Sequence, residues 1–440
     1  MSGDSAARFA QLFERRTNAI KPGLDRVQNA YVFIDQAARS IPSVLVAGTN
    51  GKGTTSAFIW KIFAQRLHRV GLYTSPHLRE FCERFVISSK IIDDSRLEEE
   101  WARLKKHLPE ALYKDLSFFE IATLLCFQLF DREQVDFAVY EVGMGGRWDA
   151  TNICDPCVSV IVGVDFDHQQ YLGTTIEAII REKAGVMRSG RPVIIGRGGQ
   201  LGVDDRAKAA MQAEVDRHGA EAIWWGRDFG IEADEIWVAK DRWKIPSTIA
   251  HRYPEYLLHN LAVAVAASVH IRASLGHSRM DHIVVEDILS VLKELACVRG
   301  RSEAVTVENI PGLELIVDVG HNVDGLLHAT KHLVDVETVL FSVMADKDVG
   351  PMLDILRSKF ANIVLFKNKN ERSIRELPER HRDLILFPRL ADAWRYLLEN
   401  ADTQRPWLVC GSVAAIGEFF EFMQVVDRVD GHTVARCPFS

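Results

Sequence analysis

The chain is poor in the features that mark secreted, membrane-embedded or nucleic-acid-binding proteins. Its 440 residues hold only seven cysteines, scattered along the sequence. That argues against a disulfide-scaffolded extracellular module and suits a reducing compartment. Cys154 and Cys157 form a lone CxxC with no second pair, read as structural rather than as a metal or redox site. No apolar run reaches bilayer-spanning length, and the start, MSGDSAARFAQLFERR, lacks the apolar core of a secretion signal. Positive charge is in deficit: 53 Lys and Arg face 60 Asp and Glu, a formal net charge of −7. There is thus no general pull toward nucleic acid or an anionic membrane. A His-Glu-x-x-His zinc-protease motif, internal repeats and low-complexity tracts are also missing. What is present is 47% hydrophobic and 26% charged, the balance of a cytoplasmic globular protein with two or three domains.

The most informative stretch is Val44–Ser56, VLVAGTNGKGTTS. Val44, Leu45, Val46 and Ala47 form a short apolar run suited to a buried parallel strand. Gly48, Gly51 and Gly53 let the chain turn tightly. The backbone from Gly48 through Thr49 and Asn50 can then converge on phosphate oxygens. Lys52 adds positive charge at the outer phosphates. Thr54 or Thr55 places a hydroxyl at the start of a helix, near a magnesium ion. Phe58, Ile59, Ile62 and Phe63 continue as that helix. The spacing departs from a standard P-loop, because only Thr49 and Asn50 separate Gly48 from Gly51, and Gly53 stands between Lys52 and Thr54. An ordinary glycine-rich turn is the plain alternative.

Around this loop, buried strands alternate with helices. Residues 7–40 read as helices broken near Lys21-Pro22-Gly23. Strands are expected at Val70–Tyr73, Asp136–Val142, Val158–Val164 and Pro192–Ile195. Helices are expected at 94–108, Phe118–Phe130, Ile176–Met187 and Leu257–Ile271. Residues 200–255 are more polar, with short strands near Ala222–Trp225 and Trp237–Lys240, forming a small lobe or sheet extension. Val298–Glu303 reads as a boundary. Strands at Leu313–Val319, Thr338–Val343, Ile363–Phe366, Leu384–Phe387 and Trp407–Cys410 then predict a second unit. The expected fold is α/β: a mostly parallel-sheet P-loop ATPase domain over 1–296, then a smaller Rossmann-like α/β domain over 297–440.

Five polar clusters lie at the ends of these elements or within them. Ser75 in Thr74-Ser75-Pro76-His77 can ligate magnesium or fix a phosphate oxygen, although a simple turn accounts for it alone. Glu141, ending a strand before Gly143-Met144-Gly145-Gly146-Arg147, is placed to hold a hard cation, or merely to cap its turn. Arg147 can pair with a carboxylate or phosphate. His168 in Asp165-Phe166-Asp167-His168 can coordinate a divalent metal, oriented by Asp165 or Asp167. Oxygen donors from Ser75 and Glu141 favour magnesium or manganese over zinc. By residue type, Lys183 in Arg181-Glu182-Lys183 is a surface lysine beside Glu182. Asp318 and His321, ending a strand in the second unit, can bracket a nucleotide or steer a phosphate, with Arg301 upstream. A solvated turn is the alternative for each.

Taken in order, these stretches resemble the folylpolyglutamate synthase/dihydrofolate synthase family of the Mur ligase superfamily. The resemblance rests on VAGTNGKGTTS, TSPHL followed by ERF, EVGMGGRWDATNI, DFDHQQYLG, REKAGV, GRSE, DVGHNVDG, VMADKDV and the late GSVAAIGEF. It implies an ATP-dependent amide ligase that activates a carboxylate as an acyl phosphate for attack by L-glutamate. By the family pattern Lys52 and the Gly48–Thr54 backbone hold ATP, with Thr55, Asn260, Arg301 and Asp318 as further contacts. Ser75, Glu141 and His168 are implied magnesium ligands, with a monovalent cation as an additional candidate. Lys183 matches a lysine that is carbamylated in the family, and His321 is implied to assist at the transferring phosphate. Phe81, Glu83 and Arg84 fall in a folate-facing segment, with Arg147, Trp148 and Asp149 beside the acceptor. Met144 and Trp148 stand where leucine is common, and Val319 and Val323 replace a small residue and proline beside His321-Asn322. The implied substrates are dihydropteroate or a reduced folate and L-glutamate. The implied protein is a monomer whose domains close over its substrates, with no nucleic-acid or membrane partner. A Mur-like ligase with another acceptor is the near alternative. A non-ligase P-loop protein is the distant one, since it gives Lys183 and DVGHN no purpose.

Overall fold

Runs of apolar residues that are buried on both faces need helices on both sides, and the chain supplies them. The structure, a computed structural model, describes residues 8–17, 22–34, 40–88, 90–275, 283–293, 299–423, 426–429 and 432–435. It divides into two compact units, Met1–Leu292 and Lys293–Ser440. The boundary expected at 296/297, together with Lys21 and Val298, lies outside the described residues.

The first unit is built on an eight-stranded sheet. Its strands are β1 (Ser43–Ala47), β2 (Val70–Tyr73), β3 (Phe85–Ile87), β4 (Lys90–Ile91), β5 (Phe137–Glu141), β6 (Val158–Val164), β7 (Pro192–Gly199) and β8 (Glu221–Trp224). They lie in the order β4-β3-β2-β5-β1-β6-β7-β8. From β2 to β8 every pairing is parallel, whereas β3 and β4 add an antiparallel edge. Every residue of β1, β5 and β6 is buried, as a parallel sheet sandwiched between helices requires. Helices α1 (Lys52–Ala64) and α4 (Glu255–Leu275) pack on each other and on the sheet. Helices α2 (Phe118–Arg132) and α3 (Ile176–Ala184) share a core with Leu45, Ala47, Tyr140 and Ile161. Helix α2 starts at a capping box, in which Ser117 accepts from the Glu120 amide and Glu120 from the Ser117 amide.

Residues 200–255 form both of the structures anticipated for them. Strand β8 extends the large sheet, and β9 (Phe229–Glu232), β10 (Glu235–Val238) and β11 (Asp241–Lys244) make a separate antiparallel meander. A helix at Asp205–His218 was not anticipated.

The second unit has its own eight-stranded sheet. Its strands are β12 (Glu303–Val307), β13 (Glu314–Asp318), β14 (Thr338–Phe341), β15 (Asn362–Phe366), β16 (Ile385–Phe387), β17 (Trp407–Cys410), β18 (Val426–Val429) and β19 (His432–Ala435), ordered β16-β15-β14-β17-β13-β12-β19-β18. Pairing is parallel apart from β12 with β13 and β18 with β19. Helix α5 (Val323–Lys331) follows β13. Both units are thus α/β with mostly parallel sheets.

Candidate active site

Parallel pairing brings the carboxyl ends of β2, β5, β1 and β6 to one edge in that spatial order. Ser75 follows β2, Glu141 ends β5, the glycine-rich loop follows β1, and Asp165 to His168 follow β6. Residues distant in sequence become neighbours because their strands are.

The loop is anchored on β6. The Thr49 amide donates to Gly163 O at 3.0 Å, its hydroxyl donates to Asp165 O at 3.1 Å, and the Asp165 amide donates to that hydroxyl at 2.9 Å. Gly51 has φ +81°, and a Cβ there would stand 2.6 Å from Asn260 Oδ1. The Asn260 amide therefore lies directly on the loop. Lys52 folds back, its Nζ donating to Gly48 O at 3.1 Å and Thr49 O at 3.0 Å. Lys183 Nζ reaches the same Gly48 oxygen at 2.9 Å.

Lys183 is not a surface residue; it is 3% exposed. Ile176, Ile179, Ile180 and Lys183 share the buried face of α3, the i, i+3, i+4, i+7 spacing that could have placed it there. Burial, with Lys52 nearby, pushes its ammonium down to about 7, partly opposed by Asp167. The glycine-rich segment after β5 packs on this helix. The Arg147 amide donates to Glu182 O at 2.7 Å, and a Cβ on Gly146 would press on the carbonyls of Glu182 and Lys183 at 3.0 Å.

Glu141 is buried, accepts from the Ser75 amide at 2.9 Å, and lies against Gly53, where an added Cβ would be 3.3 Å from Oε2. The hydroxyl oxygens of Thr54, Thr55 and Ser75 are buried without a hydrogen-bond partner among the described residues. His168 has φ +49° and ψ 34°, and its Nε2 stands 3.8 Å from Asp167 Oδ2.

The acceptor candidates separate into two groups. Phe81 is 1% exposed and packs against Phe9, Phe13, Phe85 and Phe118 at 5.1–5.8 Å between ring centroids. Its ring belongs to the core and presents no face to a pteridine. Glu83 accepts from the amides of Leu78, Arg79 and Glu80, so its carboxylate shapes the turn. Arg84 is buried, donates to His77 Nδ1 at 2.9 Å and lies 5.2 Å over the Phe118 ring. Burial pushes its guanidinium pKa down, against the pull of Tyr73 and Glu141. Asp149 is buried and accepts from the amides of Gly143, Met144 and Thr151 and from the Thr151 hydroxyl. Burial raises its carboxyl pKa while these bonds lower it. Trp148, by contrast, is 44% exposed, with the Arg147 guanidinium 4.6 Å over its ring.

In the second unit Asp318 ends β13. It accepts from the Ser302 amide at 2.9 Å and the Gly320 amide at 2.7 Å. His321 Nδ1 lies 3.1 Å from Val319 O, and Asn322 caps α5 by accepting from the Gly325 amide. Arg301 is partly exposed beside Ser302. Ser412, within the late GSVAAIGEF stretch, follows β17 next to β13 and caps the helix that begins at Val413.

Residues 46–242 match the model of the Mur ligase middle domain. The chain is 30% identical to dihydrofolate synthase/folylpolyglutamate synthase of Buchnera aphidicola subsp. Schizaphis graminum, covering 87% of this chain and 88% of that one. It is likewise 30% identical to folylpolyglutamate synthase of Lacticaseibacillus casei, over 84% and 86%. The chain belongs to the dihydrofolate synthase/folylpolyglutamate synthase family. A crystal structure of the bifunctional enzyme from Yersinia pestis, complexed with AMPPNP and Mn ion, aligns with TM-score 0.80 and 26% identity over 96% of this chain and 98% of that one. As a member of this folate synthase family, the protein is an ATP-dependent ligase.

The donor set of a folate synthase can be tested against these side chains. No cluster of three or more His, Cys, Asp or Glu lies together among the described residues. Magnesium needs only one or two protein oxygens and keeps water or phosphate for the rest. The Glu141 carboxylate, with buried Ser75 and Thr54 hydroxyls that lack partners, fits that requirement. Burial pushes the Cys154 and Cys157 thiols up to about 12 and about 11, away from the thiolate form.

Proposed function

We propose that this protein joins L-glutamate to a folate-type carboxylate using ATP, acting as both dihydrofolate synthase and folylpolyglutamate synthase. The observation that carries this reading is the convergence of Lys52, Lys183 and Glu141 on the glycine-rich loop at one sheet edge. The names of the Buchnera and Yersinia relatives state both activities.

A carboxylate resists attack by an amine because its leaving oxygen is poor. Transfer of the γ-phosphoryl group of ATP to that oxygen forms an acyl phosphate. The glutamate amine then attacks the carbonyl carbon, forms the C–N bond and expels phosphate. In this reading the Gly48–Thr54 amides hold the phosphates, and Lys52 leaves its loop carbonyls to balance charge during transfer. Ser75, Glu141 and His168, with a Thr54 or Thr55 hydroxyl, would hold magnesium, which supplies further charge neutralisation when bound. Asn260, Arg301 and Asp318 contact the nucleotide, and His321 steers the transferring phosphate. Arg84, Arg147, Trp148 and Asp149 border the acceptor, while Phe81 and Glu83 build the wall behind it.

Lys183 fits carbamylation in its charge state. Its neutral amine can add to carbon dioxide, forming an N–C bond and losing a proton, which leaves an anionic carbamate. Lys52 then faces an anion rather than a second ammonium. The free cysteines suit a reducing, cytoplasmic compartment.

The test is an acceptor panel with ATP, magnesium and glutamate, read by product mass, with dihydropteroate and tetrahydrofolate as its first members. Both should gain glutamate. Lys52→Ala and His168→Ala should each lower turnover on the order of 10²–10³-fold with an unchanged circular dichroism spectrum. ATP consumption independent of glutamate and acceptor, or wild-type rates in either variant, would overturn the reading.

A further inference from the structure

The parallel ladder between β1 and β6 runs from Val44 and Val158 to Ala47 and Ile161, and the Thr49 amide carries it further by donating to Gly163 O at 3.0 Å. Beyond that point a side chain takes over. The Thr49 hydroxyl donates to Asp165 O at 3.1 Å and accepts from the Asp165 amide at 2.9 Å. One oxygen of the phosphate loop thus holds both backbone groups of one residue after β6. From the other flank β7 closes in. Val164 pairs with Gly199, where φ is +62° and an added Cβ would stand 2.8 Å from Asp165 Cβ. The chain turns there into Gln200, whose Nε2 donates to Asp165 Oδ1 at 3.3 Å. The same carboxylate oxygen accepts from the Phe166 amide at 2.8 Å. Asp165 is therefore pinned by the phosphate loop on one side and by the end of β7 on the other.

Three residues later stands His168, in the left-handed region at φ +49°. A residue other than glycine persists there only when its surroundings over-determine it. Downstream, the Tyr171 and Leu172 amides donate to His168 O, and Leu172 is buried in the core. Upstream, Asp167 Oδ1 accepts from the His168 amide at 2.8 Å, and the segment then runs back to Asp165. We propose that Thr49 and Gln200 are positioning residues that act through Asp165 to set His168 at the metal site, an inference that rests on the reading of His168 as a metal ligand. The loop that receives the phosphates thereby also sets the arm that carries the imidazole, and one hydroxyl keeps the nucleotide and cation sites in register.

Manganese(II) titrated into the full-length protein with a non-hydrolysable ATP analogue, read by the electron paramagnetic resonance signal of the free ion, measures that register without turnover. Thr49→Val keeps the side-chain shape and removes both hydroxyl bonds. It should weaken manganese on the order of tenfold, while inorganic tripolyphosphate without metal binds within about twofold of wild type. Thr49→Ser, which restores the hydroxyl, should recover most of the loss. Gln200→Leu should shift manganese affinity in the same direction, and it decides the matter if Thr49→Val does not fold. Added to His168→Ala, neither substitution should cost anything further, because both act through that imidazole. Wild-type manganese affinity in Thr49→Val and Gln200→Leu, or equal losses of manganese and tripolyphosphate, would overturn the positioning roles alone. Wild-type manganese affinity in His168→Ala would overturn the reading of His168 as a ligand and this inference with it.

Discussion

At pH 7 an ordinary lysine is neutral in roughly one molecule in three thousand, whereas Lys183, pushed down to about 7, is neutral in about half. Acylation of its amine by a small reagent, followed by peptide mass mapping, should therefore rise through about pH 7 rather than near 10.5. The same shift has a sign for stability. Between about 7 and 10.5 the unfolded chain holds a proton on Lys183 that the native state does not, so stability rises with pH across that window. Lys183→Met, which removes the charge, should accordingly gain more in urea midpoint at about pH 6 than at about pH 9. Residue type gave no hint of this. The apolar spacing of α3 did carry the information, because Lys183 occupies a core position in it. Phe81 failed in the opposite direction. An aromatic near a substrate loop is as good a core residue as a platform, and the sequence around it does not show that Phe9 and Phe13 pack against it.

Single elements account for the next set of expectations. The strand–loop–helix of Val44–Ala64 was legible because a buried strand, three glycines and the apolar run of Phe58, Ile59, Ile62 and Phe63 occur in sequence. Strands β3, β4, β9, β11 and β12 were not, since they are only two to five residues long and all but β3 carry exposed positions. Gly51 links element to site. Alanine there must adopt a left-handed conformation at φ +81° and displace Asn260, costing about 1–2 kcal/mol in backbone strain alone. Gly51→Ala should lose affinity for ATP and tripolyphosphate alike in a binding titration. A second junction joins α2 to the helix at Asp94–His107. Glu100, fully buried, accepts from Gln128 at 2.6 Å and Arg132 at 3.0 Å and pairs with Arg96 at 3.1 Å. Glu100→Ala strands these donors, and with both arginines partly solvated the expected loss is about 2–3 kcal/mol in chemical denaturation.

At the scale of the whole chain, each unit closes its own hydrophobic core around its own sheet. Calorimetry should then show a total unfolding enthalpy larger than the van't Hoff value of a single transition. A single transition with equal enthalpies would contradict independent cores. The α/β class and the mostly parallel pairing were legible from the alternation of apolar strands and helices. Strand order was not, and it is strand order that sets Ser75, Glu141, Lys52 and His168 side by side. In each sheet taken by itself, the proposed chemistry lies at the carboxyl ends of the strands. In the first sheet the turns entering β5 and β7, around Glu133–Asp136 and Arg188–Arg191, occupy the opposite edge. That rim is where a fluorophore or an immobilisation tether can be attached without obstructing turnover.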